Sequence, residues 1–276
     1  MPKVGHDLSE YLRTSALPTV WCPGCGNGSV VQAIATALER LRLDLDQVVM
    51  VGGIGCSSRT PFYLNLNGMH TTHGRALAFA TGIKMANPRL KVIVTTGDGD
   101  GLAIGGNHFL HAARRNLDLT VILFNNGTYG MTGGQQAPTT PEGFRSTTNP
   151  IGSIEHPFDL VELVLAAGAT YVARTTTFDF DDMPRMIAEA IQHPGFAVVE
   201  ILTQCPTYYG RLNQLGDAPA MLDYEKDHTA PIPQLSRADM LGKLPIGVFR
   251  QEVRPEFTAE YAEYTRRVGQ GGGGDA

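Results

Sequence analysis

Apolar residues Val30, Ile34, Leu38 and Leu41 recur at three- and four-residue intervals after Asn27, which predicts a helix running to about Asp44. The unbroken apolar run Val48-Val49-Met50-Val51, closed by Gly52-Gly53, predicts a buried strand. Helical periodicity returns from about His73 to Ala86, through Leu77, Ala80 and Ile83, and stops at Asn87-Pro88. The β-branched run Val92 to Thr96 then leads into Gly97-Asp98-Gly99-Asp100-Gly101. A helix over about Ala103 to Asn116 and a strand over Leu119 to Phe124 follow. The alternation repeats with Leu160 to Ala167 (helix), Thr170 to Ala173 (strand), Asp182 to Ile191 (helix) and Phe196 to Leu202 (strand). Strands that are apolar on both faces and alternate with helices specify an α/β fold: a mainly parallel sheet with helices on both faces, joined by right-handed crossovers. Such sheets bind ligands outside the carboxyl ends of their strands. The chemistry is therefore expected just after Val51, Thr96, Phe124 and Leu202.

Two stretches break this rhythm. Asn125 to Pro157 is rich in Gly, Thr, Asn and Pro without sustained periodicity, and so long a connection after a buried strand points to function. The C-terminal stretch is charged and mixed, with an amphipathic helix expected over Phe257 to Val268 and a flexible tail through Gly269 to Gly274. No internal repeat is present.

Composition narrows the class. The 276 residues carry 22 basic and 27 acidic side chains, a formal net charge of −5, and 42% hydrophobic residues, which describes a globular chain with ample core. Mild acidity and the lack of a basic patch argue against nucleic-acid binding. No segment approaches the roughly 18 continuous apolar residues of a membrane span, and the start, Met1 to Asp7, lacks the apolar stretch of a secretory signal, so a cytoplasmic location is expected. The 32 glycines have no three-residue period and must sit where backbone approaches backbone or ligand. Four cysteines are too few for a disulfide scaffold but enough for one metal or cluster site.

The strongest chemical signal is Gly97-Asp98-Gly99 together with the later Asn125-Asn126, each immediately after a predicted strand. A carboxylate and an amide oxygen are hard ligands suited to Mg²⁺, which takes one or two protein oxygens plus phosphates. The glycines let backbone approach an anion, and the next helix aims its first amides at it. A lone Gly-Asp-Gly is more often a solvated turn; the pairing with Asn-Asn at strand ends favours the site. Cys22-Pro23-Gly24-Cys25 places two thiols before the first helix, Cys56 follows the first strand and Cys205 the last. One site holding all four is reasonable, and spacing alone leaves an iron–sulfur cluster, structural Zn²⁺ or unrelated buried thiols open. His108 and His111 could share an ion but have no third ligand nearby and suit ordinary polar packing; His70 suits a structural role. Arg59 and Arg75 suit either a diphosphate or substrate carboxylate, or plain ion pairing.

The GDG and NN pair resembles the signature of thiamine diphosphate enzymes. The wider set, Trp21 to Gly26, Gly53 to Arg59, Gly68 to Arg75, Ala80-Thr81-Gly82, Gly97 to Asp100, Asn125 to Gln135 and Cys205-Pro206-Thr207, resembles the β subunits of 2-oxoacid:ferredoxin oxidoreductases over most of the chain. The resemblance implies a thiamine diphosphate-binding (PP-type) domain over 1–205 and a C-terminal extension over 206–276. It implies Mg²⁺ held by Asp98, the Asn126 side chain and the Thr128 carbonyl, and a [4Fe–4S] cluster on Cys22, Cys25, Cys56 and Cys205. Ile54, Gly55, Cys56, Ser57, His73, Gly99, Asp100, Gly130 and Met131 match positions lining thiamine diphosphate, with His73 as the catalytic candidate. Cys56 would thus bring the cluster close to the cofactor.

The implied reaction is coenzyme A-dependent oxidative decarboxylation of a 2-oxoacid with electrons passed to ferredoxin. The carboxylate that binds the aminopyrimidine ring has no place in a chain of this length, so a separate α subunit, in an αβ or (αβ)2 assembly, is expected to supply it. The stretches Tyr129 to Gln135 and Cys205 to Arg211 look most like subunits acting on 2-oxoglutarate, with pyruvate or a branched-chain 2-oxoacid as the alternative. A non-redox thiamine decarboxylase or synthase and a non-enzymatic zinc module built on the four cysteines are the competing classes.

Overall fold

The computed structural model describes residues 7–232 and 242–271. Its strands are β1 (Val48–Gly52), β2 (Asn67–His70), β3 (Lys91–Gly97), β4 (Leu119–Asn125), β5 (Thr128–Tyr129), β6 (Gln135–Gln136), β7 (Tyr171–Thr176), β8 (Phe196–Leu202), β9 (Thr229–Pro231) and β10 (Leu244–Gln251). The helices are α1 (Asn27–Leu41), α2 (Ala76–Ala86), α3 (Gly106–Arg114), α4 (Leu160–Ala167), α5 (Asp182–Gln192), α6 (Ala218–His228) and α7 (Phe257–Gly271). Among the described residues, eight strands form one sheet in the order β2-β1-β3-β4-β8-β7-β10-β9. Neighbours from β2 to β7 are parallel, and β10 runs antiparallel to its neighbour β7.

Alternation along each strand divides the core in two. Met50, Ile93, Ile122 and Phe124 face α1 and α5, meeting Val30, Ile34, Leu38, Met183 and Ile187. Val51, Val94, Val121 and Leu123 face α2, α3 and α4, meeting Leu77, Phe109, Leu160 and Val164. Helices on both faces oblige the strands to be apolar on both sides, the pattern seen in the sequence. The sheet reverses direction of growth at β1, with β2 on one side and β3 on the other. That switch point opens a crevice at the carboxyl ends of the strands.

Several elements depart from the expectation. The helix expected from Ala103 starts as a wide π-type turn over Gly99–Ile104, and α3 begins only at Gly106. The expected strand over Thr170 to Ala173 runs to Thr176, because Arg174 is buried with ion-pair partners. Four short or irregular strands carry no periodic signal: β2 is largely exposed at the sheet edge, β5 and β6 form a two-residue ladder, and β9 is three residues long. β10 pairs with β7 through an irregular register, so the segment beyond residue 205 contributes to the main sheet. Helix α7 extends through Gly271, and the rest of the expected flexible tail, 272–276, lies outside the described residues.

Candidate functional site: a cofactor cleft rimmed by four thiols

The carboxyl ends of β1, β3 and β4 open into one cleft lined by Ile54, Gly55, Cys56, Ser57, His73, Asp98, Gly99, Asp100, Asn126, Thr128, Gly130 and Met131. These are all the residues expected to touch the diphosphate cofactor or its metal. Gly97, Phe124, Tyr129 and Thr132 complete the wall.

Asp98 caps the turn that follows β3, its Oδ1 accepting from its neighbour's amide, Gly99 N, at 2.8 Å. Its Oδ2 accepts from Thr139 Oγ1 at 2.7 Å, from the long segment after β4. Burial pushes the carboxyl up to about 6, against these two hydrogen bonds and one from Gly127, which lower it. A buried carboxylate with a raised affinity for protons suits a cation. Asn126 folds back so that its Oδ1 accepts from Thr128 N at 3.3 Å. Thr128 is held from the far side, where its Oγ1 donates to Gln135 O at 2.9 Å, and Thr140 Oγ1 donates to Gly127 O at 2.7 Å. The long aperiodic segment thus braces Asp98 and Thr128; Thr139 and Thr140 gave no signal in the sequence because threonines in a loop mean nothing without a partner.

Asp100 has a different role. Its Oδ1 accepts from His73 Nδ1 at 2.7 Å, Gly74 N at 2.7 Å and Ile54 N at 3.2 Å, and its Oδ2 accepts from Thr96 Oγ1 at 2.7 Å. One buried carboxylate therefore ties together the turns after β1, β2 and β3. A side chain at Gly53 would place its Cβ 2.1 Å from Asp100 Oδ2, so only glycine lets β1 end beside this carboxylate. Because Asp100 is an acceptor here, His73 carries its proton on Nδ1 and presents Nε2 to the cleft. The His73 ring meets Tyr129 edge-on at 6.2 Å, and the Tyr129 hydroxyl donates to Gly99 O at 3.3 Å.

Three segments bring the cysteines to the same rim. Trp21 Nε1 donates to Cys56 O at 2.8 Å, and its ring packs on Tyr63 at 4.7 Å, which pins the segment bearing Cys22 to the turn after β1. Gly26 N donates to Gln204 O at 3.1 Å, which pins Cys25 beside the turn after β8. A methyl group built on Gly130 would lie 3.5 Å from Cys56 Sγ, 3.9 Å from Cys205 Sγ and 3.9 Å from Asn126 Nδ2. Two thiols and a metal-ligand candidate therefore surround one glycine. Burial pushes the Cys25 thiol up to about 12, and Cys205, Cys56 and Cys22 add to the rise as like charges. Burial likewise pushes Cys56 up to about 11, with Arg59 opposing. All four are free cysteines. Among the described residues no three His, Cys, Asp or Glu side chains close up to the dimensions of a single-ion site.

Other candidates fall outside. Arg75 Nη1 donates to the carbonyls of Gly74 and Ile104, both at 3.2 Å, and so clamps backbone. Arg59 lies over the Phe62 ring at 5.6 Å. His70 packs at a tilt against Phe62 at 5.4 Å, and burial with Arg59 nearby lowers its affinity for protons. His108 and His111 line a separate groove between α2 and α3, with His111 Nδ1 accepting from Arg114. No helix among the described residues is long and apolar enough to cross a membrane.

Comparison with known proteins agrees with this geometry. Residues 53–201 match the family model described as thiamine pyrophosphate enzyme, C-terminal TPP binding domain. The chain is 49% identical over 258 residues to the 2-oxoglutarate synthase subunit KorB of Methanocaldococcus jannaschii, covering 92% of this chain and 96% of that one. It is 48% identical over 265 residues to the same subunit of Archaeoglobus fulgidus, covering 96% and 97%. Its structure is similar to that of a 2-oxoglutarate:ferredoxin oxidoreductase from Magnetococcus marinus with 2-oxoglutarate, coenzyme A and succinyl-CoA bound, with a TM-score of 0.86 and 37% identity over 95% of this chain and 90% of that one. A cleft at the sheet's switch point, the GDG and NN turns that line it and these whole-length similarities converge on one result: the chain belongs to the KorB family, the thiamine diphosphate-binding β subunits of 2-oxoglutarate:ferredoxin oxidoreductases.

Proposed function

We propose that this chain, with an α subunit, carries out coenzyme A-dependent oxidative decarboxylation of 2-oxoglutarate to succinyl-CoA and CO2 and delivers the electrons to ferredoxin. The observation that carries the reading is the meeting, around Gly130, of the metal-ligand candidate Asn126 with the thiols of Cys56 and Cys205. When bound, thiamine diphosphate supplies carbanion chemistry and an iron–sulfur cluster accepts electrons singly.

The chain's own residues supply the rest. Asp98, the Asn126 amide oxygen and the Thr128 carbonyl would hold Mg²⁺, and the amides of the turn starting at Gly99 would face the diphosphate. Asp100 holds His73 by Nδ1 at 2.7 Å, so that Nε2 is oriented to accept or return a proton in the cleft. Cys22, Cys25, Cys56 and Cys205 would hold a [4Fe–4S] cluster. Thiols raised by burial would release protons as iron binds. Ferredoxin, 2-oxoglutarate and coenzyme A are the partners this reading requires. The α subunit would contribute the carboxylate for the aminopyrimidine ring.

The test is anaerobic co-purification with the α subunit, analysis of iron, sulfide and zinc, and assay of a panel of 2-oxoacids with coenzyme A and a low-potential acceptor. About four irons per chain and preference for 2-oxoglutarate are expected. Zinc instead of iron would indicate a structural module, metal-free thiols a non-redox thiamine enzyme, and preference for pyruvate or a branched-chain acid would overturn the substrate. The isolated chain is expected to bind thiamine diphosphate weakly and to show no turnover; full activity without the α subunit would refute the division of the site.

A further inference from the structure

Asn27 is the first residue of α1, directly after Cys25-Gly26, and is 1% exposed. Among the described residues, neither its Nδ2 nor its Oδ1 has a hydrogen-bond partner. A buried carboxamide without a partner is costly and rare, and asks for a group that the protein chain itself does not contain. Cys25 lies two residues before Asn27 in the chain. Side chains in a helix lean toward its N-terminus, so a residue at the first position reaches back over that end. That end faces the thiol rim: Gly26 is bonded to Gln204 beside Cys205, and Trp21 to Cys56. The positive end of the α1 dipole points the same way and favours an anionic group there.

We propose that Asn27 is a positioning residue for the iron–sulfur cluster, its Nδ2–H donating to a cluster or cysteine sulfur and stabilising the reduced, more negative state. The proposal rests on the cluster assignment above. Hydrogen bonds to sulfur are among the main determinants of cluster reduction potential, and Asn27 is a buried polar side chain beside Cys25 with no other use among the described residues.

The test uses the α-subunit complex purified anaerobically, with iron content measured first. In Asn27→Leu, which keeps the side chain's size and removes its donors, iron content is expected to stay at about four per chain. The reduction equilibrium should shift against the reduced cluster by about tenfold, which is a fall of about 59 mV for a one-electron couple. Asn27→Ser, which keeps a donor, should fall between the two. As a readout independent of variants, wild-type protein labelled with ¹⁵N in asparagine side chains should show ¹⁵N hyperfine coupling to the reduced cluster. A wild-type complex without iron overturns the cluster assignment and this proposal with it. A full cluster with an unshifted potential in Asn27→Leu, or no ¹⁵N coupling in the wild type, overturns the role of Asn27 alone.

Discussion

Asp98 and Asp100 are two residues apart in one motif, yet their surroundings divide them between different tasks. Asp98 is buried, and its carboxyl is raised to about 6 despite the hydrogen bonds it accepts from Gly99 and Thr139, so a Mg²⁺ held there as proposed would compete with a proton for it. Metal affinity, measured by titration in the presence of thiamine diphosphate, should therefore rise from about pH 5 to about pH 7 and flatten above that; Asp98→Asn should be weak and nearly pH-independent. Asp100 is saturated by donors from the turns after β1 and β2 and from Thr96 on β3, and orients His73. Asp100→Asn presents a donor where an acceptor is needed and should lower kcat by about 10²-fold or more, the usual range for losing an oriented general base. His73→Gln should lower kcat similarly while leaving thiamine diphosphate affinity within a few-fold. A large loss of affinity would mean that His73 serves binding rather than proton transfer. The motif was visible in the sequence, but this division of labour was not, since it depends on donors contributed by Ile54, Thr96 and Thr139 from separate segments.

At the scale of elements, the site depends on how closely the ends of neighbouring strands approach one another. β1 ends at Gly52, and the next residue sits against Asp100 so tightly that any Cβ would collide with its carboxylate. Gly53→Ala should displace Asp100 or β1's end, costing on the order of 1–3 kcal/mol by denaturant melts and weakening cofactor binding. The second strand-end device is a buried charge chain: Arg174 on β7 meets Glu200 on β8 at 2.6 Å and Asp159, the cap of α4, at 2.6 Å, while Asn125 Nδ2 donates to the other Glu200 oxygen at 2.7 Å. The first asparagine of the NN pair is thereby fixed from beneath, leaving Asn126 free to face the cleft. Arg174→Met should leave Glu200 buried and unpaired and cost about 3–5 kcal/mol. Central strands and the helices over them were legible because their apolar periods are long. The edge strand β2 and the late strand β10 were not, because largely or partly exposed strands of mixed composition carry little periodic signal.

For the whole molecule, the segment beyond the last motif closes over the sheet's end and carries a buried carboxyl. Glu225 on α6 is held by Thr177 Oγ1 at 2.9 Å and Phe178 N at 3.2 Å, next to Gln204, which Thr177 also contacts. Burial pushes it up from 4.5 to about 8. The folded chain therefore binds this proton across a range where the unfolded chain has lost it. The stability contributed by this group should therefore fall as pH rises from about 4.5 to about 8. Chemical denaturation of the metal-free chain should show this fall, and Glu225→Gln should reduce its slope most between about pH 6 and pH 8, above the range in which Asp98 titrates; an equal slope there in the variant would remove Glu225 as the cause.

Alternating apolar periods sufficed to determine an α/β chain with a parallel sheet, since burial on both faces imposes that pattern residue by residue. Short polar motifs at strand ends likewise marked Asp98, Asn126, Cys56 and Cys205, and a CxxC before the first helix marked Cys22 and Cys25. Only tertiary structure decided which of these meet. Cys25, Cys56 and Cys205 converge because β1 and β8 reach the same edge and α1 starts beside them. Arg75, a plausible anion ligand in sequence, is spent on backbone carbonyls. Asn27, mute in sequence, becomes an unpartnered buried amide beside a thiol. Periodicity encodes which face of an element is buried but carries no information on the lateral order of strands, and that order sets every distance in the site.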